Sequence, residues 1–422
     1  MAARSSSVGS GVISNSTTAQ AKVDGTPGRW ELLVGRRLLI PLAVVLVPAF
    51  AGTAAAAPAK PVSWAAPQIK AVTAAGLMDA KNVASFRADD PLTAQALEDL
   101  AFGLKQVLAA NEEPPAEPDP LPVTTTDPTT TTDPTTTTYP TTTTAPTVTT
   151  PAAPKQVANP DRAVTMAQLD TRLVQTLGLS RAASEFAAGA RAAGVKVPAR
   201  FGSEVVTRLL GLRLNHPAND DSLELRPQDA ATRAEAAYSA AAILGFHGYE
   251  IESVQELADS FALPDDYSDW QKAILTTAFS KIGMPYIWGG TSDTAETEFG
   301  VPSKGGYDCS GFVWRVYKLQ TYPNEGTLAS VLRGRTTYVM SGEVPKSQRI
   351  PFAKLQPADV IFFGDHGPRS KPTEVGHMGI YVGNGWFIHS SSYGVALAQL
   401  TGWYAQEFAW GRRPLAEAGL TS

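Results

Sequence analysis

The sequence predicts an α+β domain at the C-terminus, preceded by a mostly α-helical region that a Thr/Pro tether divides. Three observations predict this. From Cys309 onward, Phe312, Val313, Trp314, Val316, Tyr317 and Leu319 place apolar residues at helical positions directly after Tyr307-Asp308. Val375–Val382 and Trp386–Ser390 read as two strands around Gly383-Asn384-Gly385. Upstream, Trp64, Ile69, Val72 and Leu77, and later Leu169, Leu173 and Leu177, recur with a helical period on either side of a Thr-rich tract. The chain has 422 residues and 43% apolar content, enough for a sizeable core. Its net charge of -5 and pI of 5.7 argue against a nucleic-acid binder, which normally carries a basic face. A single cysteine excludes an intrachain disulfide and four-cysteine zinc sites.

The elements follow in order. Arg36-Arg37 precede the apolar run Leu38–Phe50, and Ala54-Ala55-Ala56 supplies small residues for cleavage. Residues 1–56 are therefore expected to be a secretory signal. The 35 residues before Arg36 are long and polar for a leader, so the true start is expected within them. An uncleaved anchor is the alternative. Residues 57–111 should be helical, with a turn at Phe86–Thr93 feeding a second helix that carries Leu97 and Leu100. Residues 112–158 are expected to be a disordered linker. Within it, 18 of the 27 residues in 124–150 are Thr, and an X-Pro pair recurs every six residues. Such a tract has too little to bury to offset its ordering entropy. It is either an O-glycosylated or a bare spacer. Residues 159–262 should again be helical. Thr232 is a candidate N-cap there, with Glu235 as its capping-box partner.

Residues 263–416 hold the candidate chemistry. Trp270, Ile274, Leu275, Ala278 and Ile282 fit a helix covering its core. Asp308 is a good N-cap for the helix that starts at Cys309, and a thiol in a first helical turn is favoured as thiolate. A lone cysteine can also be a plain buried apolar group. A nucleophilic cysteine needs a base, and His377 and His389 lie on the two strands of the hairpin. If Gly383-Asn384-Gly385 all form the loop, Val382 faces Trp386 and His389 faces Gly379. Both imidazoles then share one face of the sheet. A two-residue loop would put them on opposite faces. Gly379 is expected to leave room for the cysteine helix.

Several pieces together resemble the NlpC/P60 family of papain-like cysteine peptidases over residues 268–414. They are Pro285–Gly290, Asp308-Cys309-Ser310-Gly311, Arg335-Thr336-Thr337-Tyr338, Leu355–Phe363 and the His377 to His389 hairpin. Ala358 departs from the family, which usually has Gly in that turn. The resemblance implies a papain-like fold and a Cys309-His377-His389 triad, with His377 as base and His389 fixing its tautomer. It implies oxyanion stabilisation by the Cys309 N–H and the Tyr286 hydroxyl. It also implies substrate contacts at Asp308 and Ser310, with Trp288 as cleft wall or core. No metal or cofactor is implied. The implied substrate is the peptidoglycan stem peptide, cut between D-Glu and diaminopimelate or lysine, or at the muramoyl–L-Ala bond in an amidase variant. The segments Thr291–Lys304 and Gly364–Glu374 are expected to border the cleft.

The helix starts at 226–237, and less closely at 64–100 and 162–178, resemble S-layer homology repeats. That resemblance implies binding to cell-wall polymers, against ordinary helical packing as the alternative. A secreted, wall-associated monomer is expected. Two competing readings are a zinc site from Asp365, His366, His377 and His389, and a wall-binding protein without catalysis. The first leaves the Asp-Cys-Ser-Gly helix start unexplained, and the second leaves the triad unexplained. His216 and His247 are expected to be structural.

Overall fold

The computed structural model describes residues 63–112, 153–216, 218–298 and 300–420. The expected signal segment and the Thr-rich tract lie outside these residues. The helical region comprises α1 (Ala66–Ala74), α2 (Ala94–Glu112), α3 (Met166–Thr176), α4 (Ser180–Ala192), α5 (Phe201–Leu209), α6 (Arg233–Leu244) and α7 (Tyr249–Asp259).

Three helix starts meet in a closed backbone triangle. Leu92 N–H donates to Ala231 O at 2.8 Å, Ala231 N–H to Val164 O at 2.9 Å, and Val164 N–H to Leu92 O at 3.0 Å. One residue further on, Thr93, Thr165 and Thr232 accept at Oγ1 from the amides of Ala96, Gln168 and Glu235, at 3.3, 3.3 and 3.2 Å. The same short sequence device, an apolar residue followed by a capping Thr, thus starts α2, α3 and α6. Residues 63–112 and the region after the tether therefore pack together. Lys155 and Val157, placed by the sequence reading in the linker, already hydrogen-bond to Gln95.

Glu235 departs from expectation. Its backbone amide meets Thr232, but its side chain turns inward instead of closing a capping box. It is 5% exposed and lies 3.6 Å from Arg213 and 3.5 Å from His216. Arg213 also pairs with Asp170, and His216 Nδ1 lies 3.0 Å from Glu224. His216 packs edge-on to Trp64 at 4.2 Å, which accounts for its burial. Buried charges persist where they are paired, and here they stitch α3, α6 and the 213–224 segment together.

The C-terminal part begins with α8 (Asp269–Ser280), boxed at its start by Ser268 and Gln271. Short strands β1 (Thr291–Ser292), β2 (Glu296–Glu298), β3 (Val301–Ser303) and β4 (Gly306–Tyr307) follow, pairing β1 with β4 and β2 with β3. Part of the expected cleft-border loop is thus a hairpin. Next come α9 (Cys309–Trp314), α10 (Leu328–Val331) and α11 (Thr337–Gly342). The main sheet is antiparallel in the order β8-β7-β6-β5-β9: β5 (Val360–Gly364), β6 (Val375–Gly383), β7 (Trp386–Ser391), β8 (Gly394–Gln399) and β9 (Phe408–Arg412). α12 (Gly402–Glu407) precedes β9.

Both sheet faces are buried. Met378, Ile380, Val382, Trp386 and Ile388 join the main core, which also takes in Ile274, Leu275, Phe312, Val313 and the helical region. Ile361, Phe363, Phe387 and Phe408 form a second, smaller cluster with Tyr404. Leu319, expected in the core, is 45% exposed. The reason is a π-turn over Arg315–Leu319, which changes the residues per turn and rotates the apolar stripe.

Candidate active site

Asp308 is extended (φ -79, ψ 175) and its Oδ1 accepts from Gly311 N–H, so it caps α9 and fixes where the helix begins. Cys309 occupies the first turn, 8% exposed, with Sγ 3.5 Å from Thr337 Oγ1. Gly311 is required by proximity, since a Cβ there would sit 1.9 Å from Gly290 O. α9 packs against β6 and β7.

The histidines come together as expected, by a different turn. Gly379 pairs with His389 and Tyr381 with Phe387, but Gly383 pairs with Trp386. The loop is the two-residue Asn384-Gly385, with φ of +47 and +79, the signature of a type I′ turn. A bulge at Val382 adds back the residue that the shorter loop removes, so the histidines stay on one face. His377 Nε2 lies 2.8 Å from His389 Nδ1. Both are buried, at 5% and 2% exposure. Burial first, and then the neighbouring His377, push the His389 pKa well below the usual imidazole range, so His389 is neutral. His377 stacks on Phe363 at 5.6 Å, and Tyr404 meets His389 edge-on at 5.3 Å. Gly379 has another purpose than the one expected. A Cβ there would meet Ile388 O at 2.8 Å and His389 Cβ at 3.1 Å, so its smallness makes room for His389 and the β7 backbone.

The expected substrate contacts are engaged within the protein. Asp308 Oδ1 accepts from Ser310 Oγ at 2.9 Å and Arg335 at 3.2 Å, besides the Gly311 amide. Its Oδ2 accepts from Gly289 N–H at 3.0 Å. Arg335 also donates to Ser310 Oγ at 2.7 Å and to Gly289 O at 2.6 Å. Arg335 thus joins the α9 start to the Gly289-Gly290 turn. In the sequence it stands within the Arg335–Tyr338 motif with no role implied for it. Nothing local marks it, because its partners lie 25 to 46 residues away. Thr337 and Tyr404 were missed for the same reason.

Tyr286 is half-buried and Trp288 is 44% exposed. Their segment is laced to the strand before Cys309: Tyr307 N–H donates to Pro285 O at 3.1 Å and Ile287 N–H to Tyr307 O at 3.3 Å. Ser390 Oγ, next to His389, donates to the same Tyr307 O at 2.6 Å. His366 is exposed and 3.5 Å from Glu374. Among the described residues no cluster of three His, Cys, Asp or Glu side chains is placed to hold a metal ion.

Ala358 holds φ +67, the left-handed region that glycine tolerates and alanine does not favour. The turn is kept by Ala358 N–H donating to Tyr381 O at 2.8 Å and by Tyr317 donating to Ala358 O.

Residues 283–413 match the NlpC/P60 family model. The chain is 35% identical over 131 residues to the probable peptidoglycan endopeptidase LytE of Bacillus subtilis, covering 31% of this chain and 30% of that protein. It is 32% identical over 148 residues to the gamma-D-glutamyl-L-lysine dipeptidyl-peptidase of Bacillus cereus, covering 34% and 36%. It is 31% identical over 123 residues to the murein DD-endopeptidase MepH of Escherichia coli, covering 29% and 37%. The chain spans about a third of the length of these relatives. Residues 283–413 form an NlpC/P60 family domain.

Proposed function

We propose that the protein is a cysteine endopeptidase of peptidoglycan stem peptides, working through Cys309, His377 and His389. The observation that carries this reading is the buried His377–His389 pair on a sheet against which the Cys309 helix packs. For His377 to act as base through Nδ1, its own proton sits on Nε2 and is donated to His389 Nδ1. A neutral His389 can accept it. The Cys309 thiol gives its proton to His377, and the thiolate so formed attacks the peptide carbonyl. The tetrahedral oxyanion is stabilised by the Cys309 backbone N–H and the Tyr286 hydroxyl. His377 then protonates the leaving amine, and the thioester left on Cys309 is hydrolysed by water. Asp308, Ser310 and Arg335 hold the nucleophile and the Gly289-Gly290 turn in register, and Trp288 lines the cleft.

The bond is that between D-Glu, through its γ-carboxyl, and diaminopimelate or lysine. The similarity to a gamma-D-glutamyl-L-lysine dipeptidyl-peptidase supports this. The similarity to a DD-endopeptidase supports a second reading, cleavage between D-residues of the cross-link. Mass spectrometry of fragments released from purified peptidoglycan decides between them. The γ-D-Glu reading predicts fragments ending in D-Glu, and fragments cut only at the cross-link would overturn it.

Export and wall association complete the proposal, on the strength of the Arg36–Ala56 pattern and the substrate. No helix among the described residues is long and apolar enough to cross a membrane. The resemblance of residues 226–237 to S-layer homology repeats is the ground for proposing a wall-polymer-binding role for the helical region. Co-sedimentation of the Cys309→Ala chain with walls stripped of secondary polymers tests it, and undiminished binding to stripped walls would refute it.

A further inference from the structure

The last carbonyls of an α-helix have no partner inside it and need donors from elsewhere. At the C-terminus of α8, Ala278 O and Phe279 O accept from the Lys281 and Ile282 amides, whereas Ser280 O and two carbonyls just past the helix accept from the helical region. Arg200, at the start of α5, donates to Ser280 O at 2.9 Å and to Ile282 O at 3.2 Å. Arg208, two turns along, donates to Gly283 O at 3.0 Å. Two cations at a helix C-terminus also suit its dipole. Arg208 is buried and paired with Glu204. The Glu204 carboxylate fills the space beside Gly283, where an added Cβ would lie 2.6 Å from it. Gly283 has φ +89 and turns the chain into Met284–Gly290.

That segment carries Tyr286 and Trp288. Its far end is fixed by Arg335 and Asp308 at Gly289. Its near end is held at Gly283 by Arg208 and by β8, where Gly283 N–H donates to Val395 O at 3.0 Å and Val395 N–H to Met284 O at 2.7 Å. Neighbouring contacts reinforce the docking: Asn215 N–H donates to Ser392 O at 2.6 Å and Arg226 to Asp293 O at 3.3 Å. The Asp221 carboxylate, 3% exposed, interacts with the Trp288 backbone amide.

We propose that Arg200 and Arg208, which lie outside the matched family domain, are positioning residues for the reaction at Cys309. They cap α8 from the helical region and so set the Tyr286–Gly290 wall of the active site. The helical region is then a working part of the active site as well as a candidate wall anchor. The inference rests on the peptidase reading for its kinetic consequence and on geometry alone for the pinning.

The test uses the full chain with Arg200→Met and Arg200→Lys. Arg200 is partly exposed; its replacement removes its own 3.9 Å contact with Glu204 but leaves Arg208 paired with that carboxylate. Kinetics on a γ-D-glutamyl–diaminopimelate muropeptide should show kcat lowered about 3- to 10-fold in Arg200→Met, with KM within about twofold. Arg200→Lys, which can still donate to a carbonyl, should recover at least half of the loss. Hydrogen exchange should speed up in peptides covering 284–290 in Arg200→Met. Unchanged kcat, failure of Lys to rescue, or unchanged exchange in that segment would each overturn the proposal. If the wild type cleaves no muropeptide, the peptidase reading falls. The exchange arm then decides the pinning by itself: faster exchange supports it, and unchanged exchange refutes it.

Discussion

His377 Nε2 stands 2.8 Å from His389 Nδ1 across two antiparallel strands, with both rings buried. In the proposed mechanism His389 holds the His377 proton on Nε2, the nitrogen turned away from Cys309. His389→Ala should therefore lower kcat by roughly 100-fold, as expected for loss of an effective general base. KM should change little, because His389 lies behind His377. His389→Asn, which keeps an acceptor oxygen, should retain more activity than Ala. Equal activity of wild type and His389→Ala would remove His389 from the mechanism.

Arg335 binds Asp308, Ser310 and Gly289 together. Arg335→Met strips the Asp308 carboxylate of its cation and should cost about 2 kcal/mol, the scale of hydrogen bonds to charged groups. It should also slow alkylation of Cys309 by iodoacetamide, because the capped helix start loosens. Arg335→Lys should restore little, since an ammonium cannot reproduce the guanidinium fork. A Met variant with wild-type melting temperature and alkylation rate would contradict this role.

Stability should fall with rising pH in the neutral range. Burial raises Glu204 and Glu224 to about 7 and Asp221 to about 6. An unfolded Asp or Glu carboxyl titrates near about 4. Between these values the folded state binds more protons, so the stabilisation is present at low pH and is lost as pH climbs through 7. His389 acts oppositely: its depressed folded pKa costs stability as pH drops below about 6.5. The carboxyls outnumber it, and the melting temperature should be higher at pH 6 than at pH 8. Scanning calorimetry at constant ionic strength checks this, and a melting temperature that rises from pH 6 to 8 would contradict it.

Ala358 at φ +67 carries backbone strain. Ala358→Val, β-branched in the same turn, should destabilise the protein by about 1–3 kcal/mol, whereas Ala358→Gly should fold normally. Chemical denaturation compares them, and a Val variant as stable as wild type would show that the turn adopts another conformation.

What the sequence makes legible is local chemistry. The Asp308 cap, the cysteine in the first turn and the hairpin histidines can each be read from neighbours within a few residues. The histidine register was predicted correctly from an incorrect loop, because a bulge at Val382 compensates for the tighter Asn384-Gly385 turn. Bulges leave little trace in the side-chain pattern. Arg335 and the Arg200–Arg208 cap were not legible, since their partners are backbone carbonyls and carboxylates far along the chain. Glu235 looked like a capping residue because its spacing from Thr232 is right. Its side chain follows the buried Arg213 and His216 instead. Leu319 looked buried because a helical period was carried through a π-turn.

The proposed role of Cys309 as nucleophile in stem-peptide hydrolysis has a direct test. Purified peptidoglycan should be incubated with wild type and with Cys309→Ala, and the soluble fragments identified by mass spectrometry. Fragments ending in D-Glu are expected from the wild type and none above background from the variant. Equal release by Cys309→Ala would contradict that role.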